Sequence, residues 1–203
     1  MAGLTHATVP RLWAGETAVL LASGPSLCAE DVDACRGRRV IAIKDTIRLA
    51  PWCDVLYGCG SDSSRWWTVN GDKVTLPGRL QYSLDPTATK WTQVLRWDNR
   101  PGLSPDPEAL RGNNSLAHAI GLAVHLGVQR IVLLGADLGH SPHQAKYFFG
   151  NRPQQHKSPF GQFLLCFLAM VAPLQALGVA VINASRVTAL TCFPTMPLRE
   201  ALA

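Results

Sequence analysis

Short runs of wholly apolar residues, set apart by polar and turn-forming stretches, dominate the chain. Residues 17–22 (TAVLLA) lie between Gly15 and Ser23-Gly24-Pro25, and 39–43 (RVIAI), 54–57 (DVLY), 130–134 (RIVLL) and 179–182 (VAVI) repeat the form. Apolar residues at consecutive positions, not alternate ones, predict strands buried on both faces of a mostly parallel sheet. Weaker strand signals lie at 79–82 and 94–97. Between the strands, 114–126 has helical spacing, with Leu116, Ile120, Ala123 and Val124 on one face and Gly127 as the stop. Ser26 stands where it can cap a helix running to about Arg36. Residues 160–177 predict a largely apolar helix ended by Gly178, and 198–202 a short terminal one. Strands alternating with helices define an α/β chain with helices on both faces of the sheet.

No repeat or low-complexity tract interrupts this order, so residues 1–203 are expected to form a single domain. The stretch 61–107, rich in Trp, Gly, Pro and Asp, stands out as an insertion or lid, and 135–159 as a polar loop or lid. Apolar residues make up 47% of the chain and charged ones 16%, which excludes a disordered or coiled-coil chain. The greasiest segment, 160–180, is broken by Gln162, Pro173, Gln175 and two glycines, so no membrane span is expected. Met1 to Arg11 lacks the apolar core of a secretory signal. Six cysteines without a C-x-x-C pair predict reduced thiols and a cytoplasmic setting. The net charge of +5 suits a phosphate-bearing ligand, and its scatter argues against direct nucleic-acid binding.

In an open α/β sheet, ligands bind beyond the carboxyl ends of the strands. After the first strand comes Ser23-Gly24-Pro25-Ser26, which is either a phosphate-approaching loop or an ordinary strand-to-helix turn. Neither a G-x-G-x-x-G nor a P-loop spacing is present, which sets aside NAD and Walker-type nucleotide binding. Lys44-Asp45 follows the second strand and Asp137 the fourth clear one. Asn114 and Ser115 open the helix at 114–126, where either is a natural cap. His140 and His143 have a metal-like spacing but lack a third ligand, so no metal site is predicted. A loop histidine with a near-neutral pKa better fits a general base. His118 and His125 are read as helix-surface or packing residues. Trp66, Trp67, Trp91 and Trp97 either stack a sugar or base, or pack beneath the insertion.

In this order the pieces resemble a known group. VLLASGPSL at 19–27, the Asn114-Ser115 helix leading to RIVLLGAD at 130–137, and VINAS at 181–185 with TALTCFP at 188–194 are similar to its shared blocks. The group comprises phage and prophage proteins of the 6-hydroxymethylpterin diphosphokinase-like (DUF115) kind, related to Campylobacter-type bacterial sialyltransferases. The resemblance implies a Rossmann-like fold that holds a nucleotide or nucleotide sugar. It implies binding by Ser23, Gly24, Pro25, Ser26, Lys44, Asp45, Asn114 and Ser115. It further implies a catalytic base at His156, with Asp137 orienting the ligand. In the loop 150–153, Gly-Asn-Arg-Pro replaces the group's Gly-Asp-His-Pro, so Arg152 is expected to favour phosphate binding.

Three functional expectations follow. The first is a sialyltransferase-like glycosyltransferase that needs no cofactor. The second is an ATP-dependent diphosphokinase, whose Mg2+ Asp45, Asp62 and Asp137 would hold. The third is a non-catalytic nucleotide-binding phage accessory protein. The setting implied is the cytoplasm of a bacterium or of a phage-infected host, and the apolar helix at 160–177 would suit a homo-oligomer face. A side chain at Gly24, as in Gly24→Val, is expected to block ligand approach while sparing the fold.

Overall fold

The structure is a computed structural model that describes residues 5–59, 66–74, 76, 78–140, 145–151 and 158–203. In chain order the strands are β1 (Thr17–Leu21), β2 (Arg39–Ile43), β3 (Val55–Tyr57), β4 (Leu80–Ser83), β5 (Gln93–Val94), β6 (Arg96–Asp98), β7 (Ala109–Arg111), β8 (Arg130–Leu134) and β9 (Ala180–Asn183). The helices are α1 (Ala29–Asp33), α2 (Trp66–Asn70), α3 (Ser115–Leu126), α4 (Phe160–Ala176) and α5 (Leu198–Ala201). Seven strands form one sheet in the order β5-β4-β3-β2-β1-β8-β9, every neighbouring pair parallel. β6 and β7 form a separate parallel pair.

The continuous apolar runs have the physical cause expected of them. Along β1, Ala18 and Leu20 face one core and Val19 and Leu21 the other, all fully buried. The first core is closed by α3 and by Phe167, Met170 and Leu174 of α4. The second is closed by Val32 of α1, Trp66 and Trp67 of α2 and Ala201 of α5. This is the doubly wound, Rossmann-like α/β arrangement, in which strands must be apolar on both sides. Asn114 caps α3 by accepting from the Ala117 N–H at 3.0 Å, and Gly127 ends it with φ 97°. That left-handed turn is open to glycine without a Cβ penalty.

The chain departs from its sequence pattern in three places. The helix expected from Ser26 to Arg36 is only the five residues of α1, with Cys28 at its N-cap and no side-chain cap. Ser26 is engaged elsewhere, and residues 34–37 leave the helix in tight turns up to Gly37, whose φ is 80°. The strand signal at 94–97 splits in two. Leu95 donates its N–H to Ser83 O beside β4, and Arg96 donates to Glu108 O beside β7, so the chain changes ladders between adjacent residues. Within the stretch 61–107, β4 and β5 extend the main sheet and β6 the small one. As its composition predicts, α4 is apolar beyond its buried side: Cys166, Phe167, Met170 and Leu174 are buried, while Leu165 and Leu168 are exposed.

Candidate functional site

Strand order reverses between β1 and β8. From β1 the sheet runs through β2 to β5 in one direction, and from β8 to β9 in the other. Loops leaving two such strands ordinarily diverge and open a ligand crevice. Here their roots are stitched together. Gly24 donates its N–H to Gly135 O at 2.8 Å. The Ser26 N–H and hydroxyl both donate to the Asp137 carboxylate, at 2.8 Å to Oδ2 and 2.6 Å to Oδ1. Burial pushes the Asp137 pKa up, and the Ser26 hydroxyl and amide pull against that.

A Cβ at Gly24 would come within 2.4 Å of both Gly135 O and Asp137 Oδ1, and one at Gly135 within 2.4 Å of Ala22 O. The expectation that Gly24→Val would spare the fold is therefore overturned. The missing side chain is needed first for the two loops to touch. The donors of this loop are also largely committed. Gly24 and Ser26 donate as above, Leu27 donates to Gly24 O, and Pro25 has no N–H. Asp137 is itself fixed from the loop after β9. Ala136 N–H donates to Ser185 Oγ at 2.8 Å, Thr188 Oγ1 donates to Ala136 O at 2.7 Å, and Ala189 N–H donates to Asp137 O at 2.7 Å. The next residue, Leu138, has φ 51°, a left-handed conformation that non-glycine residues seldom hold without being forced.

On the neighbouring strand, Lys44 leaves β2 with φ 54°. Asp45 is buried and paired with Arg48 at 3.0 Å. Thr46 ties this corner to β1, accepting from Ile43 N–H at 2.8 Å and lying 3.2 Å from Leu21 O. α3 begins at the same edge with Asn114 and Ser115, because its far end meets the start of β1 through Trp13 N–H to Leu126 O. Its His118 is buried. Nε2 lies 3.0 Å from Gly112 O and Nδ1 3.0 Å from Tyr57 Oη. Gly112 O can only accept, so Nε2 carries the proton and Nδ1 accepts from the tyrosine. Burial lowers the His118 pKa to about 4, so the ring is neutral. His125 likewise packs, with Nε2 3.0 Å from Ala109 O. Trp66 and Trp67 are core residues, and neither is placed to stack a ligand.

Residues 145–151 cross this edge. Phe148 donates its N–H to Ser23 O at 3.2 Å, and the Arg48 guanidinium lies 5.4 Å from the Phe149 ring centroid. His156 and Arg152, together with His143, Lys157 and Asp62, lie outside the described residues. The structure thus ties Gly24 to Gly135 and Ser26 to Asp137, and sets Lys44, Asp45, Asn114 and Ser115 along the same sheet edge. Among the described residues, no three His, Cys, Asp or Glu side chains cluster as metal ligands. Sequence reasoning missed Tyr57, Cys59 and Asp85 at the ends of β3 and β4. The strand-end rule that selected Lys44 applies equally to them, and Asp85-Pro86 is itself a turn signal.

Fold and edge together define a Rossmann-like α/β domain whose polar strand-end residues gather at its topological switch point. No family model matches the sequence, and no curated protein does. Among solved structures, the MAf glycosyltransferase from Magnetospirillum magneticum AMB-1 is similar, with a TM-score of 0.66 and 15% identity over 95% of this chain. The chain spans 36% of that protein's length. At this identity the likeness is one of fold. No helix among the described residues is long and apolar enough to cross a membrane.

Proposed function

We propose that this chain is a glycosyltransferase-like enzyme that holds a nucleotide-sugar donor along the carboxyl edge of its sheet, in the manner of the bacterial sialyltransferases it resembles. The observation that carries the reading is the Gly24–Ser26 loop clasped to Asp137 at the switch point, on a fold like that of a glycosyltransferase. In this reading the loop is a rigid wall, since its own N–H groups are engaged. Lys44 and Arg152 offset the phosphate charge, and Ser115 and Asn114 contact the nucleotide from the start of α3. His156 takes the proton of an acceptor hydroxyl as that oxygen bonds to the anomeric carbon. The bond from that carbon to the phosphate oxygen breaks, and its electron pair leaves with the nucleotide. No cofactor is required for this step.

A thermal-shift panel of CMP, UDP, GDP and ATP, each with and without magnesium, tests the proposal. A ligand at 100 times its Kd adds about 2.7 kcal/mol, or about 5–10 °C in Tm at this size. A magnesium-independent shift with CMP or UDP supports it. A shift with ATP that needs magnesium supports diphosphoryl transfer instead, and no shift with any of the four overturns the proposal. Where a nucleotide binds, His156→Ala should lower turnover by about 10²–10⁴-fold while affinity stays within a few-fold.

A further inference from the structure

Three neighbouring strands deliver a second polar group of residues to the ligand edge. Ile43 of β2 pairs with Tyr57 of β3, and Tyr57 with Tyr82 of β4. The residues that follow, Lys44, Cys59 and Asp85, therefore emerge side by side. Cys59 lies close enough to feel the charge of both its neighbours. Burial raises the Cys59 pKa, Lys44 pulls it down, and Asp85 pushes it up.

Asp85 is the unexplained member. It is only 7% exposed. Its Oδ1 accepts from the Thr87 N–H at 2.9 Å and from the Thr87 hydroxyl at 2.7 Å. Its Oδ2 is buried and, among the described residues, has no hydrogen-bond partner. A buried carboxylate oxygen without a donor is unfavourable, and such an exception calls for a reason. Lys44 faces the same edge from a left-handed backbone. β4 stands three strands from β1, or about 14 Å at the usual strand spacing. A nucleotide with a sugar beyond its phosphate can bridge that span.

We infer that Asp85 is the specificity residue for the sugar of the proposed donor, its Oδ2 accepting hydrogen bonds from sugar hydroxyl groups at the ends of β3 and β4 beside Lys44. The inference rests on the nucleotide-sugar reading above and adds what recognises the sugar.

Calorimetry on the full chain tests it with matched probes: UDP against UDP-N-acetylglucosamine, and CMP against CMP-N-acetylneuraminate. Asp85→Asn keeps an oxygen for the Thr87 cap but turns an N–H donor toward the sugar hydroxyls. It should weaken the nucleotide sugar by about 10–100-fold and the free nucleotide by less than about twofold. Asp85→Ser retains a capping hydroxyl and carries the same expectation should the asparagine variant fail to fold. Equal weakening of both probes, or of neither, overturns the inference and leaves the nucleotide-sugar reading standing. A loss seen only when magnesium is present also overturns it, by placing Oδ2 on a metal. Failure of the wild type to bind any of the four probes overturns the underlying reading and this inference with it.

Discussion

Acidification from pH 7 to pH 5 should strip the fold of about 2 kcal/mol through His118 alone. The imidazole is buried, takes a hydrogen bond from the Tyr57 hydroxyl at Nδ1, and has a pKa lowered from 6.5 to about 4. A depressed histidine pKa means that the native state resists the proton the unfolded chain accepts. Its stabilising contribution is therefore present above pH 6.5 and is lost as pH falls toward 4. The full shift is worth about 3 kcal/mol, and integration between pH 7 and 5 gives about 2. For a urea m-value of about 2 kcal/mol/M, the midpoint should fall by about 1 M over that interval. His125, whose pKa burial also lowers, changes with the same sign, so the wild type alone does not isolate the effect. His118→Gln does, because glutamine can donate to Gly112 O and accept from Tyr57 without titrating. Urea denaturation of both proteins from pH 7 to 5 should give a wild-type slope steeper by about 2 kcal/mol in total. Parallel loss in the two proteins would refute the buried, neutral assignment.

Three further outcomes follow from the same geometry. Gly24→Ala should lower stability by more than about 3 kcal/mol, because its Cβ would press on backbone and on Asp137 rather than on a flexible side-chain end; a Tm within about 2 °C of wild type would contradict this. Ser26→Ala removes one of two donors from the buried Asp137 carboxylate and should cost about 1–3 kcal/mol by chemical denaturation. Gly161→Ala, in the first turn of α4 with open space around the new methyl group, should instead raise stability by about 0.5–1 kcal/mol in the same assay.

Strand positions were legible in the sequence because burial on both faces leaves no polar position to blur the run. The boundaries Arg39–Ile43 and Arg130–Leu134 coincide with β2 and β8. Helix starts were legible only where the cap acts locally. Asn114 bonds three residues ahead, within α3. Ser26 bonds to a partner 111 residues away, which no local pattern reveals, and α1 is correspondingly short. Asp137 could be singled out by its place at a strand end, but its use as a clasp could not. Asp85 was passed over because it lies beyond a weak strand signal, at 79–82, whereas Lys44 directly follows a clear one. The split of 94–97 was equally invisible, since consecutive extended residues look alike whether they serve one ladder or two.

The clasp between Ser26 and Asp137 also bears on the order in which the molecule is made. Strands β1 to β5 pair with neighbours close in sequence, whereas β1 meets β8 only across a loop of more than 100 residues. Closing a loop of that size carries an entropic penalty of about 4 kcal/mol before any contact offsets it. Long-range parallel pairing of this kind is slow. During synthesis the half-sheet containing Lys44 and Asp85 can assemble while residue 137 is still within the ribosome. The switch point would then be the last part of the protein to come into being, and a nascent chain halted before β8 would lack it.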